Sequence, residues 1–227
     1  MSDPIVVSRE PDAEAVAQRA AEVTADAVAA ARTLHGVAHL CLTGGTTPRR
    51  CYELLGPLLH DWSDVHLWYG DERCVPPDHP DANALMVHQS LVAPGATEHL
   101  MPGELGPDEG AAAYAAELGD TVFDVLHLGV GPDGHCVSLF PNHPLLDATG
   151  VAVGVHDSPK PPPQRITLTL PKLNSSKRIL MIITGDEKAD AVTRILEGPD
   201  RDTPSSLIDR GRLELIVDEA ALSGGDG

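Results

Sequence analysis

Hydrophobic and polar residues follow one another along the chain in blocks that switch between a helical and a strand-like pattern. Residues 11–34 are rich in alanine and place apolar side chains at helical spacing, which predicts one long amphipathic helix ending at Gly36. Residues 37–42 form a short apolar run before two glycines, as expected for a buried strand of a parallel sheet. Pro48 suits the first turn of a second helix, which we expect to run to about Leu55.

The same alternation continues towards the C-terminus. Further strands are expected at residues 65–69, 123–130, 151–155, 165–170, 179–184 and 213–217, and further helices at residues 83–92, 108–118 and 186–196. Because strands and helices alternate, the sequence predicts an α/β fold with a mainly parallel sheet. We interpret residues 1–227 as one domain and expect the tail, residues 223–227, to fray.

Charge and composition narrow the classes of function. The chain carries 34 acidic against 16 basic residues, a formal net charge of −18, and only 3% aromatic residues. The negative electrostatic field of a chain with this charge repels nucleic acid and anionic membranes, so neither is expected as a partner. It also repels anionic ligands, so a phosphorylated substrate would require a local cluster of arginine and lysine side chains.

Cysteine and histidine spacing gives no sign of a disulfide framework or a metal centre. The four cysteines, at positions 41, 51, 74 and 136, form no CxxC pair and match no zinc-ribbon spacing. They indicate reduced thiols, and the first residues lack the basic and apolar segments of a signal peptide, so a cytoplasmic protein is expected. No apolar run approaches the length of a membrane span, no metal is assigned, and a monomer is the default expectation.

Glycine and polar residues cluster immediately after the predicted strands, where ligands bind in open parallel sheets. The first such loop, residues 43–49, precedes a helix whose backbone N–H groups could hold an anion. Its candidate phosphate-binding residues are Gly44, Gly45, Thr46, Thr47 and Arg49. The loop matches neither GxGxxG nor the P-loop, so it does not indicate a nucleotide, and an ordinary glycine turn beside surface arginines is the alternative.

Two further loops offer charged side chains. Residues 70–73 (GDER) place Asp71 and Arg73 at a strand end, where they form either a ligand site or a structural ion pair. Arg165 begins a strand after the stiff segment PKPPP, which could fix where this arginine points, and Lys188 opens the predicted helix of residues 186–196. Arg165 and Lys188 matter only if the fold brings them to the same cavity, since a lone lysine is more often a surface charge.

The loop of residues 128–135 (LGVGPDGH) carries the strongest signal. Its glycines, among them Gly131 and Gly134, and its proline force a tight turn that presents Asp133 and His135 at the end of a strand. Histidine is the side chain best suited to take a proton near neutral pH, and a carboxylate two residues away could set its tautomer or orient a water. A packing or capping histidine is the alternative.

Taken together, these motifs resemble the 6-phosphogluconolactonase family. GGTTPR, GDER with a downstream DAN, GPDGHCVSLFP and QRITLTLPKLN occur in the order and spacing of that family over roughly residues 5 to 219. Departures are small: threonine stands at position 46 where serine is common, Cys136-Val137 where Thr-Ala is common, and Ala82 where serine is frequent. The related glucosamine-6-phosphate deaminases and isomerases usually have a segment resembling IAFNEP after the histidine, whereas this chain has CVSLFPNH.

The resemblance implies a Rossmann-like three-layer αβα fold and hydrolysis of 6-phospho-D-glucono-1,5-lactone in the pentose phosphate pathway, without a cofactor. The resemblance further implies that His135 activates a water and that Asp133 orients this water or the imidazole. It also implies that the TTPR loop, Arg73, Arg165 and Lys188 hold the phosphate. One alternative is a sugar-phosphate isomerase or deaminase with Asp71 or Glu72 as the enolising base. A non-catalytic sugar-phosphate sensor is less favoured because the chain has no basic patch, and a serine hydrolase is disfavoured because GxSxG is missing.

Overall fold

Ten strands and seven α-helices alternate along residues 5–223, the part of the chain that the computed structural model describes. The strands are β1 Val6–Glu10, β2 Ala38–Leu42, β3 Val65–Tyr69, β4 Asp71–Arg73, β5 Thr97–Glu98, β6 Val125–Leu128, β7 Ala152–Val155, β8 Arg165–Leu168, β9 Ile179–Ile183 and β10 Leu213–Asp218. The helices are α1 Ala13–His35, α2 Thr46–Leu58, α3 Asn83–Ser90, α4 Pro107–Leu118, α5 Leu170–Asn174, α6 Ala189–Glu197 and α7 Glu219–Leu222. The tail expected to fray falls outside this description from residue 224 onwards.

Seven strands form the main sheet, in the order β1-β10-β9-β6-β2-β3-β5 with every pair parallel. Strands β6, β9 and β10 are buried along their whole length. These strands consist mainly of valine, isoleucine, leucine and methionine and have no exposed face. Both faces of a parallel sheet are covered by connecting segments, which explains this composition. The α/β fold with a mainly parallel sheet, flanked by helices, is therefore confirmed.

A second, small sheet was not anticipated. Strands β4, β8 and β7 pair antiparallel in that order, so residues 151–155 and 165–170, expected as further strands of a mainly parallel array, lie outside the main sheet. The pattern missed β4 because its residues are the charged Asp-Glu-Arg, which look like a loop. It missed β1 because this edge strand is short, half polar and largely exposed.

Helix boundaries agree with the expected ones to within a few residues, and the differences have local causes. Helix α2 begins at Thr46, after Gly45 with a φ of 118°, so Pro48 lies in its first turn as expected, and the helix continues three residues beyond Leu55 to Leu58. The segment expected as one helix over residues 186–196 opens instead with a turn of 3₁₀ helix at Asp186–Lys188, and α6 follows it.

The chain reverses its direction across the main sheet between β2 and β6. From β2 it proceeds outward through β3 and β5, and from β6 it proceeds the other way through β9 and β10. The loops that leave β2 and β6 therefore diverge and open a crevice at the carboxyl ends of these two neighbouring strands. Ligands of open α/β sheets bind at such a point, and the predicted site loops follow β2, β6 and β9.

Candidate active site

A cavity of about 280 Å³ opens at this crevice. Most of the residues predicted from the sequence line it: Gly44, Gly45, Thr46, Thr47, Asp71, Arg73, Gly131, His135, Arg165 and Lys188. Asp133 and Gly134 lie beside it in the turn that carries His135. Arg49, in contrast, is exposed on α2 and is not among the lining residues, and neighbouring Arg50 pairs with Glu14 and Glu53 on the surface.

His135 and Asp133 form a hydrogen-bonded pair at the cavity. The Nδ1 atom of His135 lies 2.5 Å from Oδ1 of Asp133, and the imidazole is 17% exposed. A carboxylate at Nδ1 selects the tautomer with the proton on Nδ1, which leaves the lone pair on Nε2. Because Nε2 makes no hydrogen bond to any residue between 5 and 223, this lone pair is available to a water in the cavity.

The environment sets the protonation of both partners. Burial lowers the pKa of His135, although the hydrogen bond and charge of Asp133 oppose this change. Burial raises the pKa of Asp133, but the hydrogen bonds and charges of His135 and Lys160 outweigh it and bring this pKa to about 2. At neutral pH the pair is consequently a neutral imidazole beside an ionised carboxylate, as a general base requires.

The glycine at position 131 makes this pairing possible. A Cβ atom there would lie 2.0 Å from Nδ1 of His135 and 2.4 Å from Oδ1 of Asp133, so any side chain would displace the pair. Gly134 adopts a φ of +85°, a conformation that favours glycine, and its N–H donates to the carbonyl of Gly131 at 2.8 Å. The glycine pattern of this loop is thus a steric requirement of the His135–Asp133 pair.

The cavity is locally cationic although the chain is strongly acidic. Its lining holds four cationic side chains, Arg73, Lys160, Arg165 and Lys188, against the single carboxylate of Asp71. Arg73 donates one bond, from Nη1 to the carbonyl of Asp81 at 2.5 Å, and its buried Nε has no partner among residues 5–223. Lys188 lies 3.7 Å from Glu187 and lines the cavity. These two side chains keep the most donors for an anion.

Arg165 is committed mainly to the protein itself. It is 4% exposed, and its guanidinium donates to the carbonyls of Lys160, Pro161 and Pro162 at 2.9–3.3 Å and to Ser138 Oγ at 3.3 Å. These bonds use four of its five N–H groups and leave one for a ligand. The proline-rich segment therefore does fix this arginine, through its backbone carbonyls.

The acidic residues of the second loop divide into two roles. Asp71 is 5% exposed and accepts hydrogen bonds from Ser138 Oγ at 2.7 Å and from Asn83 Nδ2 at 3.2 Å. Glu72 points away from the cavity and accepts the backbone N–H groups of Arg73, Asn83 and Ala84 at 2.7–2.8 Å, so it caps the start of α3. Glu72 is therefore a structural residue.

The first turn of α2 is open towards the cavity. Among residues 5–223 no side chain caps this helix at Gly45, and Thr46 and Thr47 lie in the lining. The hydroxyl of Thr47 is hydrogen-bonded to that of Thr184 at 2.8 Å, which ties the loop after β2 to the end of β9. An uncapped helix N-terminus of this kind is a favourable position for a phosphate group.

Sequence reasoning missed Lys160 as a site residue. Its Nζ lies 3.2 Å from Oδ1 of Asp133 and 3.1 Å from Nδ1 of His135. The only signal was indirect: the PKPPP segment precedes Arg165, but nothing in the sequence shows that it folds back onto the loop of residues 128–135. A contact between segments 25 residues apart depends on the tertiary fold.

Two classes of chemistry find no support in the described residues. Residues 5–223 contain no group of three or more histidine, cysteine or carboxylate side chains placed to hold a metal ion. Cys136, next to His135, is wholly buried, and burial raises the pKa of its thiol to about 12, so it is not a reactive thiolate.

The described helices also include none that is long and apolar enough to cross a membrane.

Comparison with known proteins adds an independent finding. The family model of glucosamine-6-phosphate isomerases/6-phosphogluconolactonase matches residues 11–217. A 6-phosphogluconolactonase of Streptomyces coelicolor is 36% identical, over 96% of this chain and 93% of its own length. The crystal structure of a 6-phosphogluconolactonase from Shewanella baltica OS155 has a TM-score of 0.86 at 28% identity, covering 96% of this chain and 98% of that one.

The fold extends to a related enzyme. A monomeric glucosamine-6-phosphate deaminase superposes with a TM-score of 0.81 at 23% identity over 97% of this chain, a likeness in fold alone. All four loops of the cavity lie within the residues that the family model matches. On this sequence and structural evidence, the chain belongs to the glucosamine-6-phosphate isomerase/6-phosphogluconolactonase family.

Proposed function

We propose that this protein hydrolyses 6-phospho-D-glucono-1,5-lactone to 6-phospho-D-gluconate in the pentose phosphate pathway. It does so as a single-domain, monomeric, cytoplasmic enzyme whose own side chains carry the reaction. The observation that carries the proposal is the neutral, carboxylate-paired His135 at a cavity lined by four cations. The names of the relatives from Streptomyces coelicolor and Shewanella baltica support the same activity.

The reaction needs a base and an acid at one position. Nε2 of His135 takes a proton from a water, whose oxygen attacks the lactone carbonyl and gives a tetrahedral oxyanion. The carbonyl re-forms as the bond to the ring oxygen breaks, and the imidazolium returns its proton to that oxygen. Asp133 stabilises the imidazolium through Nδ1 while the proton is held. Acid–base help of this kind contributes about 10²–10⁴-fold to a rate.

The phosphate is the part of the substrate that the cavity can hold most firmly. Arg73 and Lys188 retain free donors, and the uncapped N-terminus of α2 adds backbone N–H groups and the hydroxyl of Thr46. Binding energy gained at this remote group is used to hold the carbonyl against the water at His135. The same cations give a phosphorylated substrate its advantage over an unphosphorylated lactone.

The test is lactone hydrolysis followed through a coupled dehydrogenase, with the lactone generated in situ and its spontaneous hydrolysis subtracted. Wild-type protein should accelerate hydrolysis, with and without EDTA. His135→Ala should lose about 10²–10⁴-fold in kcat while its thermal unfolding midpoint stays near the wild-type value.

Glucosamine 6-phosphate is assayed in parallel for ammonia release. Ammonia without lactone turnover would contradict the proposal and assign Asp71 as the base of a deaminase. Full turnover by the His135→Ala variant would show that His135 is not the base.

A further inference from the structure

Lys160 approaches the catalytic pair from the segment between β7 and β8. Its Nζ is 3.2 Å from Oδ1 of Asp133 and 3.1 Å from Nδ1 of His135, and its side chain is 41% exposed. Oδ1 of Asp133 thus receives two donors, the Nδ1–H of His135 and an ammonium N–H. The three groups form one cluster in which the ammonium group contacts both the carboxylate and the imidazole.

The backbone of Lys160 is held at both of its polar groups. Its N–H donates to Ser158 Oγ at 3.2 Å, and its carbonyl accepts from Ser158 Oγ at 2.8 Å and from Arg165 Nη2 at 2.9 Å. Arg165 is itself buried at the cavity. These hydrogen bonds fix the position of the Lys160 backbone relative to Asp133. In this respect Lys160 differs from an ordinary surface lysine.

The position of this cation has a consequence for proton transfer. Protonation of His135 would place an imidazolium 3.1 Å from an ammonium group, and like charges at this separation disfavour the second charge. We propose that Lys160 is a positioning residue of the lactonase reaction, which holds Asp133 against His135 and keeps His135 neutral and able to accept a proton. The role of Lys160 in catalysis rests on the proposed function, whereas the effect of its charge on the protonation of His135 does not.

Other charged groups around His135 act with or against Lys160. Asp133 and Asp71 both raise the pKa of His135, whereas burial and Lys160 lower it. Lys188 lies close enough to Lys160 and Asp133 to interact with both charges. The ring of Phe140, 5.0 Å from that of His135, carries no charge. Lys160 is therefore the cation in direct contact with the imidazole, and its removal leaves burial alone to oppose the two carboxylates.

The experiment compares Lys160→Met, which keeps the length of the side chain and removes its charge, with Lys160→Arg, which keeps a cation. Lys177→Met is the matched control, because it removes the same charge from a half-exposed lysine whose partner, the buried Asp124, does not line the cavity. The imidazole of His135 is titrated by NMR in each protein, its signals being assigned by their loss in a His135→Gln variant. Lactone turnover is then measured from about pH 5.5 to 7.5.

In Lys160→Met we expect the pKa of His135 to rise by about half a unit or more, and the acid limb of kcat/KM to move to higher pH with it. At the acid end of the pH range, a shift of this size lowers kcat/KM about threefold. We expect KM to change by less than about twofold. Lys160→Arg and Lys177→Met should both titrate like the wild type.

An unchanged His135 titration in Lys160→Met would overturn the proposal. So would a large rise in KM at an unmoved pKa, which would make Lys160 a substrate ligand. Because the NMR titration needs no substrate, it remains decisive even if the protein proves not to hydrolyse the lactone.

Discussion

Arg73 and Arg165 occupy directly opposed positions in the antiparallel pair of β4 and β8, and both side chains line the cavity. Like charges directly opposite each other on a sheet are destabilising. Arg165 is compensated by the carbonyls of residues 160–162 and by its link through Ser138 to Asp71. Arg73 makes one side-chain hydrogen bond among the described residues, to the carbonyl of Asp81, so most of its donors remain unused at the cavity.

Arg73→Ala should mainly weaken substrate capture. A hydrogen bond from a charged donor is worth about 1.5–3 kcal/mol, so we expect KM to rise about 10–100-fold, with a smaller fall in kcat because the His135–Asp133 pair is untouched. Steady-state kinetics on the lactone measure both constants. Arg50→Ala, which removes an arginine engaged with Glu14 and Glu53 on the surface, is the charge-matched control and should leave KM unchanged. Equal KM values for the two variants would exclude Arg73 as a phosphate ligand.

The glycines of the loop after β6 allow a test that isolates geometry from charge. In Gly131→Ala the new Cβ would collide with Nδ1 of His135 at 2.0 Å, so the pair must separate, and we expect kcat to fall about 100-fold. In Gly129→Ala the new Cβ would meet only the carbonyl oxygen of Gly44, at an ordinary 3.8 Å, and most of the activity should remain. Neither glycine has a positive φ, so alanine is compatible with both backbones. Similar losses in the two variants would argue against a steric role for position 131.

Asp133→Asn should act on the pH profile in the direction opposite to Lys160→Met. The carboxylate raises the pKa of His135, so its neutralisation lowers this pKa and moves the acid limb of kcat/KM to lower pH. The imidazolium formed during the reaction also loses its anionic partner, and we expect kcat to fall about 10²-fold. Turnover between about pH 5.5 and 7.5 measures both effects. An unchanged kcat would mean that Asp133 has no part in proton transfer.

Local patterns in the sequence were enough to predict the parallel sheet, most helices and four segments that contribute residues to the cavity. The turn that carries Asp133 and His135 could be predicted from its glycines, because all the residues that form it are close together in the sequence. Lys160 could not be predicted in the same way, since its contacts with Asp133 and His135 depend on how a proline-rich segment folds over the sheet. Strand β4 was hidden for a similar reason: its charged residues pair with β8, which is 92 residues away at the Arg73–Arg165 pair.

The placement of Arg49 shows the limit of motif reading. Its position after TGGTTP suggested a phosphate ligand, yet helix α2 turns its side chain to the surface, while Thr46 and Thr47 on the same turn line the cavity. Consecutive helical residues point about 100° apart, so the start of a helix decides which of them face a ligand. Helix α2 starts at Thr46, which places Thr46 and Thr47 against the cavity and Arg49 on the exposed side of the helix.

A buried histidine outside the cavity predicts how the fold responds to acid. His127 on β6 is wholly buried and stacks on Tyr52 at 5.8 Å between ring centroids. Its Nε2 lies 2.7 Å from Thr24 Oγ1, whose own proton goes to the carbonyl of Ala20, so Nε2 is the donor. Its Nδ1 is buried without a partner among residues 5–223. Burial lowers the pKa of His127 to about 3, so the folded protein keeps this imidazole neutral.

The unfolded chain, in contrast, protonates His127 below its ordinary pKa of about 6.5. Because the unfolded state then binds the extra proton, the free energy of unfolding should fall as pH drops from about 6.5 towards 3, with up to about 1.4 kcal/mol per pH unit due to this residue. Urea unfolding followed by circular dichroism between about pH 5 and 7 measures the slope, above the range in which most carboxylates titrate. His127→Phe keeps a stacked ring without the titrating group and should flatten this slope, whereas His60→Gln removes an exposed histidine and should leave it unchanged. If His127→Phe and the wild type lost stability in parallel on acidification, the acid sensitivity would have to come from other groups.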